Sequence, residues 1–172
     1  MAVSVQAVLQ QLNDLIGLHE RLLELSREKR SVLVGNAVDE LTRLTNAERR
    51  LIGQIEESER ELFAAARAFL QDKGVRPTAR PAMTELIRYT FHAGERAELI
   101  AARAKLNELI NRLKEANELN QQLIRQSLDF IRFSIDLLSG APEDDLMYQN
   151  PQHQEEKQAG SYPNRNYFDA RA

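Results

Sequence analysis

The positions of the prolines constrain the fold of this 172-residue chain more than any other feature. All five fall in only two regions: Pro77, Pro81, Pro142, Pro151 and Pro163. Proline lacks a backbone N–H and clashes with the preceding turn, so the interior of a helix tolerates it poorly. Residues 1–76 and 82–141 are therefore free to form long helices.

Apolar side chains in the first of these stretches recur at steps of three and four residues, which places them on one face of a helix. The face consists of Val5, Val8, Leu12, Leu15, Ile16, His19, Leu22 and Leu23. The pattern predicts a first helix over about residues 3–34, a stop at Gly35, and Asn36 as the N-cap of a second helix that runs to about Asp72.

The sequence after Asp72 predicts a loop, a short helix and one very long helix. Residues 73–81 combine a glycine, two prolines and three basic side chains, as is typical of a connection. A short helix over 82–91 and a break at 92–94 precede a helix over 95–139 that contains neither glycine nor proline. Long helices pack side by side, and short connections make successive ones antiparallel. We therefore expect an all-α fold, either an elongated antiparallel helical hairpin or a three-helix, coiled-coil-like bundle, with a short extra helix.

Composition argues against several classes of function. Without cysteine the chain has no thiolate nucleophile and no Cys-based zinc site, and its three histidines are widely separated. The serines lack a nucleophile-elbow context, and the isolated glycines form no phosphate loop. We expect no enzyme activity, no catalytic residues, no cofactor and no metal. The start of the chain does not resemble a signal peptide and no segment is long and apolar enough to span a membrane, so we expect a cytoplasmic protein without membrane insertion.

The last 33 residues, from Gly140 onward, differ in composition from the rest. They hold six acidic and three basic side chains, so the net charge of −3 lies in this segment and the remainder is neutral. A neutral body argues against binding to nucleic acid. Four of the ten aromatic residues also lie here: Tyr148, Tyr162, Tyr167 and Phe168. We expect a helical domain over 1–140 and a flexible acidic tail over 141–172, disordered in isolation, whose aromatic residues form a contact motif.

The last helix becomes apolar on two sides in its second half. At 100° per residue, one stripe runs its whole length and is the expected core seam: Leu99, Leu106, Leu113, Ile124, Leu128, Ile131, Ile135 and Leu138. The second stripe lies nearly opposite and starts later: Leu119, Leu123, Phe130, Phe133 and Leu137. Either a third helix covers this second stripe, or it is exposed as a partner-binding groove.

Three polar residues on apolar faces have structural interpretations. Asn117 and Asn120 lie on the seam side, where a buried asparagine fixes the register between helices, although a polar contact to a ligand helix is the alternative. His19 lies on the apolar face of the first helix, where a lone histidine is expected to be a hydrogen-bonded core residue.

The sequence of the last helix resembles the C-terminal helix of the FlgN family of flagellar export chaperones. The runs that carry the resemblance are LNELI at 106–110, ELNQQLIRQSLDFI at 118–131 and LLSG at 137–140. It extends to KRSVLVGN at 29–36 and to residues 56–60, and so covers most of residues 1–140. The tail, with Tyr148 and the terminal FDARA, is similar to the tails of Gram-positive members.

The resemblance implies a cytoplasmic, non-catalytic chaperone for the hook-filament junction proteins FlgK and FlgL. Such a chaperone binds the C-terminal helices of these clients, prevents their premature assembly and delivers them to the export gate through the cytoplasmic part of FlhA. The second stripe, Leu119, Leu123, Phe130, Phe133 and Leu137, is the predicted client site, with Phe130 and Phe133 as its main hot spots. In the tail, Tyr148 and Phe168 are candidate contacts to the gate or the client.

Two other functions fit the sequence. In the first, the chain is a structural coiled-coil module that forms a homodimer through the second stripe of the last helix. In the second, it is an export-gate adaptor that acts mainly through its tail.

Overall fold

The computed structural model describes residues 5–140, and this part of the chain is built from four α-helices with no β-strand. The helices are α1 (Val5–Val34), α2 (Val38–Asp72), α3 (Met83–Tyr89) and α4 (Ala93–Leu138). The predicted all-α fold is confirmed.

Packing divides the chain into two units, residues 1–132 and 133–172. The described part of the second unit is residues 133–140, which contains the end of α4. The predicted tail over 141–172, with Tyr148 and Phe168, lies outside the described residues.

The turn between α1 and α2 differs in detail from the prediction. Asn36 adopts the left-handed conformation, with φ of 53°, and Ala37 occupies the N-cap position without a side-chain cap. The N–H of Ala37 donates to the carbonyl of Val32 at 3.3 Å, and that of Asn36 donates to the carbonyl of Leu33 at 3.4 Å. This is a Schellman ending, and asparagine tolerates the left-handed position that it requires. Asn36 therefore ends α1 instead of capping α2.

In the first unit α1 packs against both other long helices. It contacts α2, to which the short turn makes it antiparallel, and a Lys29–Glu48 ion pair links the two. Residues along α1 bond to residues progressively further along α4: Gln6 to Glu95 at 3.3 Å, Glu20 to Lys105 at 2.8 Å and Ser26 to Asn117 at 3.1 Å. Because the partners advance in the same direction, α1 and α4 run parallel. The three-helix bundle is therefore the correct one of the two predicted arrangements.

The hydrophobic core of the first unit follows the face that was predicted for α1. All eight residues of that face are buried in α1. The seven apolar ones pack with Phe69 and Leu70 from α2, Leu86 from α3 and Leu99 from α4. His19 is the predicted hydrogen-bonded core histidine, since its Nδ1 lies 2.8 Å from the carbonyl oxygen of Leu15.

The predicted seam of α4 is correct in the first half of the helix and wrong in the second. Leu99 is fully buried and Leu106 and Leu113 pack against the core. The buried side then continues through Ala116 and Asn120, and half-buried Leu123 and Ser127 follow. The remaining members of the predicted seam are instead 37–88% exposed: Ile124, Leu128, Ile131, Ile135 and Leu138.

The cause is the repeat that α4 uses to pack. Its buried and half-buried positions from Leu99 to Ser127 alternate in steps of three and four, which is the seven-residue repeat of a coiled coil. A straight projection at 100° per residue drifts from that repeat by about 20° for every seven residues. After four repeats the projected seam has left the buried side of the helix.

Candidate functional site

The part of α4 from residue 121 to residue 132 is the most unusual surface of the first unit. None of these residues is buried, although five of them are large and apolar. Leu123 is half-buried, whereas Ile124, Leu128, Phe130 and Ile131 are 37–69% exposed. Exposed apolar side chains concentrated in one segment are typical of a binding surface.

Part of this segment forms one wall of an apolar groove, which we call the turn groove. The other walls are the end of α1, the α1–α2 turn and the start of α2. The lining residues are Val32, Leu33, Asn36, Ala37, Val38, Leu41, Ile124, Ser127, Leu128 and Ile131. Asn36 and Ser127 are the only members with polar side chains.

The local sequence explains why the groove stays open. The Schellman turn at Asn36 reverses the chain at once, so α2 starts beside the end of α1. Leu33 and Leu44 are buried, at 8% and 2% exposure, whereas Val38 is 71% exposed. The turn region therefore has a packed interior and leaves an apolar rim uncovered.

The two rims of the turn groove differ in charge. On the α2 side, the Nε of Arg43 donates to both carboxylate oxygens of Glu40 at 3.1 Å. These hydrogen bonds hold the pKa of the Glu40 carboxyl below its usual range, and the paired carboxylate raises the pKa of Arg43. On this rim the charges of Glu40 and Arg43 therefore cancel each other.

On the α4 side, Arg125 and Arg132 directly follow the groove residues Ile124 and Ile131, and both arginines are exposed. Among residues 5–140, neither side chain has a hydrogen bond or an ion pair, and Asp129 between them in sequence has none either. The α4 rim therefore offers two cations whose charge is not neutralised by a contact.

A polar cluster of the buried Ser26 and Asn120 and the exposed Asn117 precedes the groove. The Nδ2 of Asn120 donates to the carbonyl oxygen of Ser26 at 2.7 Å and to its Oγ at 3.1 Å. That Oγ in turn donates to the Oδ1 of Asn117 at 3.1 Å. With Asn120 only 3% exposed, this cluster joins α1 to α4 at one register. The register-fixing interpretation of both asparagines agrees with these contacts.

The predicted client residues lie in both units. In the first unit Leu119 and Phe130 are 38% and 69% exposed, and Leu123 is half-buried. In the second unit Phe133 and Leu137 are 60% and 66% exposed. Their role in partner binding stays a prediction, as do the roles of Tyr148 and Phe168.

Sequence reasoning missed the turn groove because it placed Ile124, Leu128 and Ile131 in the core. Counting the seven-residue repeat forward from Leu99 reaches Leu123 and Ser127, and this signal was present in the sequence. The seven-residue repeat leaves the side chains of Ile124, Leu128 and Ile131 outside the seam.

Residues 5–140 do not provide a group of three His, Asp or Glu side chains that could hold a metal ion. Within the same residues, every helix is too short or too polar to cross a membrane.

Comparison with known proteins identifies the family. Residues 1–156 match the family model described as FlgN protein. The chain belongs to the FlgN family. It is also 34% identical over 136 residues to a Bacillus subtilis (strain 168) protein named "Uncharacterized protein YvyG", a match that covers 79% of this chain and 81% of the relative. No solved structure matches the chain.

Membership of the FlgN family confirms the resemblance noted in the sequence, and the Bacillus relative agrees with a Gram-positive type of member. The family is one of chaperones and not of enzymes. It supports a general role for this protein as a chaperone in flagellar protein export.

Proposed function

We propose that this protein is a cytoplasmic chaperone for FlgK-like and FlgL-like hook-filament junction proteins. It binds their C-terminal helices, prevents their premature assembly and delivers them to the export gate through the cytoplasmic part of FlhA. The observation that carries the proposal is the uncovered apolar surface of α4 after Asn120, in a chain of the FlgN family.

The chemistry of the clients suits such a surface. A helix that coils with other subunits in the assembled filament has an apolar stripe that is exposed before assembly. A chaperone with a spare apolar helical face covers that stripe by the helix-in-groove mode of recognition. Because the client must be released at the gate, we expect a modest interface with a few hot spots, among them Phe130 and Phe133.

Titration calorimetry of the full chain against the C-terminal helices of a FlgK-like client tests this function. We expect micromolar or tighter binding, and we expect the Phe130→Ala/Phe133→Ala variant to weaken it more than tenfold, or about 1.4 kcal/mol. The matched control is Ile100→Ala/Ile110→Ala, which removes two exposed apolar side chains from the first half of α4. Binding that survives the phenylalanine change moves the client site elsewhere, and a competent client that does not bind at all refutes the function.

The proposed role of the tail has its own test. A chain truncated after Gly140 lacks Tyr148 and Phe168 but keeps α4 entire. If the tail docks the gate, truncation abolishes binding to the cytoplasmic part of FlhA and leaves client binding intact. Loss of client binding instead favours an adaptor that acts through its tail. A concentration-independent dimer in sedimentation, with the apolar face of α4 buried in it, favours a structural coiled coil.

A further inference from the structure

We propose that the turn groove binds an amphipathic helix with acidic residues along one edge of its apolar stripe, and that Arg125 and Arg132 hold this edge. The inference rests on the proposed function, since it assigns the client helix to a particular surface and gives that helix a particular charge pattern. It adds a second contact surface to the stripe of Phe130 and Phe133, which lies on another side of α4, so each surface takes a different C-terminal helix of the client.

The shape of the groove favours a helix. Ile124, Leu128 and Ile131 repeat at helical spacing along one wall, and Leu33 and Leu41 supply apolar contacts from the facing walls. Seven residues of α4 rise about 10 Å, which matches two turns of a partner helix. Such a partner presents apolar side chains at positions i, i+3 or i+4 and i+7.

The charges of the rims select which helix binds. The charges of the Glu40–Arg43 pair cancel and the neighbouring Asp39 is exposed, so the α2 rim is not positive, whereas Arg125 and Arg132 outnumber Asp129 on the α4 rim and give it a positive edge. The two arginines are seven residues apart and therefore lie on the same side of α4. A partner helix with Glu or Asp at a matching seven-residue spacing pairs with both, and one with Lys or Arg there is repelled.

The test uses calorimetry of the full chain with two probes. The first probe is the C-terminal helical segment of a FlgK-like client. The second is a designed 21-residue peptide with a leucine stripe and glutamates along one edge, together with a sister peptide in which lysines replace the glutamates. We expect the glutamate peptide to bind at least tenfold tighter than the lysine peptide, and this preference to shrink at high salt.

Variants of the chain locate the site. We expect Arg125→Glu/Arg132→Glu to weaken both the client and the glutamate peptide by tenfold or more and to improve binding of the lysine peptide. The matched control is Arg96→Glu/Arg103→Glu, which reverses two exposed arginines at the same seven-residue spacing in the first half of α4. We expect this control to change affinity less than twofold. Leu128→Ser is expected to weaken both probes without altering the helical content of the chain.

The outcomes separate this inference from the proposed function. If the client binds but neither Arg125→Glu/Arg132→Glu nor Leu128→Ser weakens it, the function stands and the groove assignment is wrong. If the client fails to bind while the glutamate peptide binds in the groove, the groove assignment stands and the function is wrong. If Leu128→Ser dissociates a dimer and leaves both probes unaffected, the groove is an interface between copies of the chain and the inference is overturned.

Discussion

Within the first unit, the two halves of α4 have similar apolar content but different surroundings. From Leu99 to Ala116 the apolar side chains at the seam are buried or packed against the core. From residue 121 to residue 132 none is buried, and Ile124, Leu128 and Ile131 line an open groove. The hydrophobic residues of one continuous helix therefore divide between the core and an exposed surface, and the Asn120 cluster lies at the border between the two.

The largest expected effect compares one leucine from each half. Leu99 is fully buried, so Leu99→Ala should lower the free energy of unfolding by about 2–5 kcal/mol. Leu128 is 48% exposed, so Leu128→Ala should cost less than about 1 kcal/mol. Urea denaturation of both variants measures the contrast. Equal losses would show that the second half of α4 contributes to the core.

The next prediction concerns the Asn120 cluster, which lies between the two halves of α4. Asn120→Ala removes the two hydrogen bonds that its Nδ2 donates to the carbonyl oxygen and Oγ of Ser26, and we expect it to lower the free energy of unfolding by about 1–3 kcal/mol. The control is Asn117→Ala, at an exposed residue of the same cluster, with an expected loss of about 0.5 kcal/mol. A neutral Asn120→Ala in denaturation would mean that this cluster does not fix the register of α4.

A smaller effect is expected at the wall of the turn groove. Asn36 has a positive φ, which asparagine tolerates better than alanine because its short polar side chain can hydrogen-bond locally, so Asn36→Ala should destabilise the protein by about 1 kcal/mol. Asn36→Gly is the matched control, because glycine adopts this conformation freely, and it should be neutral or slightly stabilising. Thermal unfolding measures both, and the reverse order would contradict the Schellman ending of α1.

The smallest expected effect concerns the Glu40–Arg43 pair on the α2 side of the turn groove. The bonds from Arg43 lower the pKa of the Glu40 carboxyl, so their contribution to stability is present above the pKa of the unfolded chain. It is lost as the pH falls through the lowered folded pKa. An NMR titration should find Glu40 below its usual range in the wild type and back in that range in Arg43→Gln. An ordinary titration of Glu40 in the wild type would show that the pair does not persist in solution.

Local rules predicted much of this fold, and the long-range geometry of α4 escaped them. The positions of Pro77 and Pro81 and the face that includes Val8 and Leu12 depend on nearby residues alone, and the helix boundaries followed from them. The seam of α4 depends on how the helix coils about α1, so an angular error that is negligible at Leu106 becomes decisive at Leu128. The turn groove brings together residues of α1, α2 and α4, and the local sequence pattern does not indicate which residues of the three helices lie beside one another.

Hydrogen exchange of the full chain, with and without a FlgK-like C-terminal helix, tests the division of α4 most directly. We expect client binding to slow amide exchange in residues 121–132 of α4 and in residues 33–41 around the α1–α2 turn, with little change in residues 99–116, whose amides are already protected by the core. New protection confined to residues 99–116, or protection at none of these segments despite saturating client, would contradict the assignment of the second half of α4 to partner binding.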